Sequence, residues 1–332
     1  LDRAEQLRRW LAVTLGGGDF SIAPASDDAS FRRYFRIRRG KAQPSLVAMD
    51  APPDKENCGP FVHVARLLAE AGVHVPKIHA QDLEQGFLLL SDLGNTTYLD
   101  ALDEHNAGRL YEDALDALLR IQRASRPGLL PDYDRELLEK ELRLFPDWYL
   151  ARQLQRKLDA AQLQTLEKAF STILENNLGQ ARVFVHRDYH SRNLMVCEPC
   201  PGILDFQDAV YGPITYDLVS LLRDAYIAWD EERVIDWAIR YWERARAEGL
   251  PVAGDFADFY RDFEWMGAQR QLKVLGIFAR LSFRDGKDDY LKDQPLVMSY
   301  LRRTCARYRE LAALGRLLEE LEPQEKRVGY TF

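Results

Sequence analysis

Between residues 22 and 90 apolar residues mostly alternate with polar ones, and beyond about residue 94 they recur at steps of three and four. Phe31, Arg33, Phe35 and Ile37 alternate with Arg32, Tyr34, Arg36 and Arg38, which predicts a strand. A turn at Gly40 and a second strand over 45–49 follow. Pro60 is suited to the first turn of a helix that carries Phe61, Val64, Ala65 and Leu68 on one side and ends at Gly72. Two further strands are predicted near 77–81 and 87–90. Ahead of them residues 2–15 read as a helix, with Asp2 and Glu5 in capping-box positions and three glycines as its stop. Past Gly94 the periodicity predicts helices at about 104–124, 135–148, 159–176, 231–248, 255–283 and 295–321, interrupted by one strand-rich island at 183–206. The outline is an α+β chain with a small β-rich lobe, 1–93, and a larger helical lobe, 94–332.

Length and composition narrow the class. The 332 residues suffice for two such lobes with a real core, and 46% hydrophobic against 29% charged residues is a globular balance. The net charge of −7 argues against a generally basic nucleic-acid binder. No apolar run approaches the ~20 residues of a membrane span. Residues 1–10 carry Asp2, Arg3, Glu5, Arg8 and Arg9, unlike a secretory leader, and four cysteines in so long a chain suit a reducing compartment. A cytoplasmic protein is expected, with no membrane and no obligate protein partner. Cys197 and Cys200 have metal-site spacing but no second ligand pair nearby, so a hairpin turn with two incidental thiols is the expectation.

The island carries the chemistry. A polar loop with His186, Asp188, His190 and Asn193 lies between strand-like runs, and Ile203-Leu204 leads into Asp205-Phe206. Phosphoryl transfer to a hydroxyl needs a carboxylate to receive the proton and oxygen ligands for Mg²⁺ on the phosphates. Asp188, Asn193 and Asp205 supply that set at His-x-Asp-x-x-x-x-Asn…Asp-Phe spacing.

At these residues the chain resembles the kinase-like phosphotransferases, and within them the aminoglycoside phosphotransferases and choline kinases more than the protein kinases. The resemblance covers nearly the whole chain in element order. It implies a two-lobed protein-kinase-like fold that takes ATP and Mg²⁺, with Asp188 as catalytic base and Asn193 and Asp205 as metal ligands. It implies positioning roles for His186, His190 and Asp217, with Asp208 near metal or substrate. Ser91, Asp92 and Leu93 resemble the hinge that meets the adenine.

The family's strand lysine is missing, because the strand reads Val47-Ala-Met-Asp50, and the phosphate loop is not glycine-rich. Arg33 shares a strand face with Phe31, Phe35 and Ile37, and with Ser30 it is the candidate phosphate grip; Arg32 and Lys55 are alternatives. Five strings resemble one branch of the family: Met49-Asp-Ala-Pro-Pro53, Gly86-Phe-Leu-Leu-Leu-Ser-Asp-Leu-Gly94, Leu144-Phe-Pro-Asp-Trp-Tyr149, Asp205-Phe-Gln-Asp-Ala-Val-Tyr-Gly-Pro213 and Leu272-Lys-Val-Leu-Gly-Ile-Phe-Ala-Arg280. That branch phosphorylates the anomeric hydroxyl of N-acetyl amino sugars in cell-wall recycling, which makes an amino sugar and ATP the expected small-molecule partners. Arg270, Lys273, Arg280, Arg284 and Lys287 fall at steps of 3, 7, 4 and 3, a basic stripe on one helix that suits a carboxylate and repels a polycation. Trp148 and Tyr149 are candidates to stack on a sugar ring. The alternatives are another acceptor on the same fold (an aminoglycoside, choline or homoserine) or a nucleotide-binding pseudokinase.

Overall fold

A computed structural model describes residues 2–26, 31–40 and 43–322. Helix α1 (Arg3–Thr14) leads into strands β1 (Ser21–Ser26), β2 (Arg33–Arg38) and β3 (Leu46–Asp50). Helix α2 (Gly59–Glu70) precedes β4 (Ile78–Asp82) and β5 (Phe87–Ser91). Helices α3 (Tyr98–Ala101), α4 (Ala107–Arg123) and α5 (Arg135–Leu144) follow, then a π-helical segment, Phe145–Gln153, and α6 (Ala160–Gly179). The island forms four short strands, β6 (Arg182–Val185), β7 (Leu194–Met195), β8 (Gly202–Ile203) and β9 (Val210–Pro213). Helices α7 (Tyr216–Leu222), α8 (Glu231–Ala247), α9 (Phe256–Asp285), α10 (Gln294–Arg307) and α11 (Ala312–Leu321) complete the order. No helix among the described residues is long and apolar enough to cross a membrane.

The chain gathers into two compact units. One takes residues up to 124 together with 192–209, and the other takes 125–191 together with the chain from 210 on. The units therefore do not part at 93/94, where the sequence pattern changes. Thr97 bridges Met195 and His74 bridges Gly202, which ties the β7–β8 hairpin and the start of the helical stretch to the sheet-bearing unit.

In that unit five antiparallel strands run in the order β1-β2-β3-β5-β4. Period-two alternation gives the sheet two faces. Ile37, Ala48, Phe87 and Leu89 bury one face against Leu7 and Leu11 of α1. Tyr34, Arg36, Val47 and Leu90 line the other face. Gly86, at φ +70°, makes the turn into β5; a Cβ there would sit 1.9 Å from the Ala51 carbonyl oxygen. Only glycine fits a backbone that approaches the Asp-Ala-Pro-Pro string so closely.

The second unit is built around α9. Every residue over 263–276 is buried, cations included, so this helix has no solvated face there. Gly276 lets it pass α5, since a Cβ would lie 2.3 Å from the Leu144 carbonyl carbon. The helix expected over 135–148 ends at Leu144, and a wider π turn takes over across Pro146, which has no N–H to continue the α ladder. The helix expected over 295–321 breaks at Tyr308, where the backbone is extended. The break lets α11 fold back on α10, with Gly315 against Cys305 and Arg302 reaching Glu319.

Candidate active site

The sheet-bearing unit holds a cavity of about 380 Å³. Val47 and Leu90 form one apolar wall and Met195 and Leu204 another, with Asn193 and Asp205 at a polar end. Apolar side chains from the sheet and from the β7–β8 hairpin suit a planar base, and the polar end suits its phosphates. The β7–β8 ladder fixes that end. Leu194 pairs with Ile203, and the Leu204 N–H donates to the Asn193 carbonyl at 2.9 Å, so Asn193 and Asp205 fall at the same end of the hairpin. Asn193 Nδ2 donates to Asp205 Oδ2 at 3.3 Å, and Gln207 Nε2 donates to Asp205 Oδ1 at 2.8 Å. Asp205 has φ +60°, a left-handed backbone that a residue other than glycine adopts at a cost, and its side chain is exposed. One exposed carboxylate beside an amide oxygen matches the few protein ligands that Mg²⁺ takes when phosphates and water complete its shell.

The segment after β5 is held from the side. Arg36 donates to Asp92 through two nitrogens at 2.6 and 3.0 Å, Ser45 Oγ donates to it at 2.6 Å and the Gly94 N–H at 3.0 Å. Burial works to raise the Asp92 pKa, and these donors outweigh it and hold the carboxyl below its usual range. Asp92 thus spends its side chain on shape. Ser91 is tied to Lys77, the residue before β4, donating its N–H to the Lys77 carbonyl and accepting the Lys77 N–H at Oγ. Leu93 is buried in the cavity wall.

Arg33 points away from this cavity. Its face of β2 is the α1 face, where it pairs with fully buried Asp50 beside Arg3. The arginine on the cavity face is Arg36, one strand position out of phase. Arg32 pairs with Glu56 at 3.0 Å, and Lys55 lies over the Phe31 ring. Ser30 lies outside the described residues. Asp208 is exposed near the end of the same unit's segment. Cys197 and Cys200 are free thiols in the β7–β8 loop, and no cluster of three metal-ligating side chains exists among the described residues.

In the other unit the loop after β6 is clamped by its backbone. Asp217, fully buried at the start of α7, accepts the N–H groups of His186 at 2.6 Å and Arg187 at 3.0 Å. His186 Nδ1 accepts the Asp188 N–H at 3.2 Å, and the Ser191 N–H donates to Asp224 at 2.8 Å. Burial pushes Asp217 up to about 6 against the pull of His186 and the two N–H donors. Burial also disfavours the charged form of Asp188, but Lys273, His190, Arg270 and Arg187 overcome it and hold its carboxyl below the usual range. His190 itself is pushed down to about 4 by burial, so at neutral pH the cations acting on Asp188 are Lys273, Arg270 and Arg187. A carboxylate kept ionised and half-buried is a competent proton acceptor.

Glu141 of α5 is the anchor that sequence reading missed. It binds Lys273 at 3.0 Å and Arg187 at 2.5 Å and accepts from the Tyr133 hydroxyl, while Lys273 also donates to Tyr216 at 2.9 Å. The cluster ties the loop to α5, α7 and α9. Lys273 is therefore occupied, and it faces into the unit rather than along a solvated stripe. Arg270 is buried too, Arg280 is half-buried, and Arg284 pairs with Asp285. Tyr149 stacks on Phe145 and donates to Glu322 at 2.6 Å, and half-buried Trp148 is beside it on the π segment. None of the partners of Tyr149 is a group that acts on Asp188. The aromatic run next to the loop is Tyr226, Phe278 and Tyr290, with Tyr226 edge-on to His190. These rings lie far apart in sequence, and no local spacing marks them.

A sequence profile of the Phosphotransferase enzyme family matches residues 21–251. A Pseudomonas aeruginosa protein named N-acetylmuramate/N-acetylglucosamine kinase is 53% identical over 329 residues, which cover 96% of this chain and 97% of that one. A Neisseria meningitidis protein of the same name is 49% identical over 337 residues, covering 100% of both. Among solved structures, choline kinase LicA from Streptococcus pneumoniae aligns with a TM-score of 0.64 at 13% identity, over 92% of this chain and 99% of that one. ADP-bound aminoglycoside phosphotransferase APH(2'')-Ib gives 0.58 at 14% identity, over 90% and 98%. At such identities these two structures show the fold, which is the two-lobed kinase-like α+β architecture.

Proposed function

We propose, from the premise that this chain belongs to the phosphotransferase enzyme family, that it transfers the γ-phosphoryl group of ATP to the anomeric hydroxyl of N-acetylmuramate and N-acetylglucosamine. The observation that carries this reading is the full-length identity of about one half to two kinases of that name. The product is the sugar 1-phosphate, a step in the reuse of cell-wall amino sugars, and a reaction that consumes ATP belongs in the cytoplasm.

Asp188 receives the proton of the anomeric hydroxyl, the most acidic hydroxyl of a reducing sugar. As that proton leaves, the sugar oxygen bonds to the γ-phosphorus and the bond from phosphorus to the β–γ bridging oxygen breaks, releasing ADP. Lys273, Arg270 and Arg187 keep Asp188 ionised for this task. Asp217 holds the loop backbone that aims it. The apolar walls at Val47, Leu90, Met195 and Leu204 take the adenine, with the backbone at Ser91, Asp92 and Leu93 along its edge. Asn193 and Asp205 would hold Mg²⁺, which supplies charge neutralisation on the phosphates. The cations around Asp188 favour a neutral or anionic acceptor over a polycationic one.

The test is turnover of each sugar with ATP by wild type and by Asp188→Asn. Loss of a positioned base is expected to lower kcat by about 10²–10⁴-fold. Titration calorimetry should still show nucleotide binding. A near-wild-type kcat in the variant would overturn the assignment of the base. Kanamycin or choline turned over in preference to either sugar would overturn the acceptor.

A further inference from the structure

The five cations expected to act together on α9 separate by what they already hold. Lys273 is spent on Glu141 and Tyr216, and Arg284 on Asp285. Arg280 is half-buried with its Nε unpartnered, but it is not among the cations that hold Asp188 ionised, and Lys287 lies beyond the helix end. Arg270 differs from all of them. It is 6% exposed, yet its guanidinium makes no hydrogen bond or ion pair with any described residue. None of its nitrogens is a buried atom left without a partner, so its donors open toward solvent, where an acceptor can reach them.

The surroundings indicate what that acceptor is. The charge of Arg270 acts on both Asp188 and His190. His190 is 8% exposed, and its Nδ1 is buried without a partner. Two turns along α9 from Arg270, on the same face, Phe278 packs against Tyr226 and Tyr290, with ring centroids 6.0 and 5.3 Å apart. The Tyr226 ring lies edge-on to His190 at 5.5 Å. An unfilled cation and an unfilled ring nitrogen thus stand beside the base, next to a run of aromatic rings suited to the C–H face of a sugar.

We infer that Arg270 receives the carboxylate of an acidic acceptor and is the residue that favours N-acetylmuramate over N-acetylglucosamine. The two sugars differ by the lactyl ether, whose carboxylate can take two guanidinium hydrogen bonds. The neutral sugar leaves those donors unfilled and reacts without them. The inference rests on the amino-sugar reading above only for the identity of the acceptor.

The experiment compares wild type, Arg270→Gln and Arg270→Lys by kcat/KM for both sugars, and by calorimetric binding of each sugar without ATP. Arg270→Gln should lower kcat/KM for both sugars through its weaker hold on Asp188, and should lower that for N-acetylmuramate by about a further 10–100-fold relative to N-acetylglucosamine. Arg270→Lys, which keeps the charge without the fork, should fall between, and its turnover of the neutral sugar verifies a folded site if the glutamine variant is unstable. Equal losses for both sugars would overturn the inference, because Arg270 would then serve the phosphoryl group or the loop. An unchanged ratio would overturn it as well. If wild type turns over neither sugar, the proposed function fails, and the binding measurement still decides this point. Arginine-dependent binding of the acidic sugar alone supports it, and binding of the acidic sugar that does not depend on Arg270 overturns it.

Discussion

Asp217 couples the proton to the loop that carries Asp188. Its carboxyl titrates at about 6 because burial outweighs His186 and the two backbone donors. Below that pH a proton competes for the lone pairs that hold the His186 and Arg187 N–H groups, so kcat should fall on the acid side near pH 6. In Asp217→Asn kcat should be lower throughout, without that limb; a pH–rate profile of both proteins checks this. The effect on stability has the opposite direction. A carboxyl whose folded value is raised above its ordinary 3.8 favours the folded state below that unfolded value and loses the contribution as pH rises through about 6. Denaturant titrations should therefore show a flatter stability profile between pH 4 and 6 in the asparagine variant than in wild type. Asp205 gives a cleaner separation of roles. Asparagine also tolerates the left-handed backbone, so Asp205→Asn should stay within about 1 kcal/mol of wild-type stability while losing Mg²⁺-dependent nucleotide affinity. Calorimetry with and without Mg²⁺ reads the second effect, and an unchanged metal dependence would move the ligand role elsewhere.

At the scale of elements, strand alternation tells which residues share a face, but not which face meets the cavity. β2 carries arginines on both faces, so Arg33 and Arg36 read alike in sequence. The difference lies in α1, which covers one face and brings Arg3 to Asp50. Arg33→Ala should therefore leave the KM for ATP within about 2-fold while lowering stability, because it takes one of two arginines from the fully buried carboxylate of Asp50. Steady-state kinetics and a denaturant titration separate the two effects. The π segment hid a second difference. A straight helix through residue 148 would have kept Trp148 and Tyr149 in α5's register, whereas the wider turn seats Tyr149 on Phe145 and Glu322. Tyr149→Phe should leave sugar KM unchanged. On α9 the stripe was legible as spacing, but an amphipathic reading assumes one wet face. An ion pair to Glu141 of α5 and a hydrogen bond to the Tyr216 hydroxyl of α7 let Lys273 be buried instead, and no local pattern announces Glu141 as its counter-ion. The local signals served well where the chemistry is local. Asp188, Asn193 and Asp205 lie within one island whose hairpin alone places Asn193 beside Asp205.

For the whole molecule, a net charge of −7 says nothing of the charges around Asp188, where Lys273, Arg270 and Arg187 meet Glu141, Asp217 and Asp224. Global charge therefore says little about an acceptor, and the neighbourhood of the base says more. The claim that reaches furthest is that this chain is a sugar kinase acting at the anomeric oxygen, and the position of the new phosphate tests it most directly. Wild type would be incubated with ATP, Mg²⁺ and either N-acetylmuramate or N-acetylglucosamine, and in parallel with their 1-O-methyl glycosides. The products would be read by phosphorus NMR with coupling to the sugar protons. The account predicts one phosphate signal coupled to the anomeric proton from each free sugar and no phosphorylated product from the glycosides. Phosphate on any other sugar oxygen, or turnover of the blocked glycosides, would contradict it.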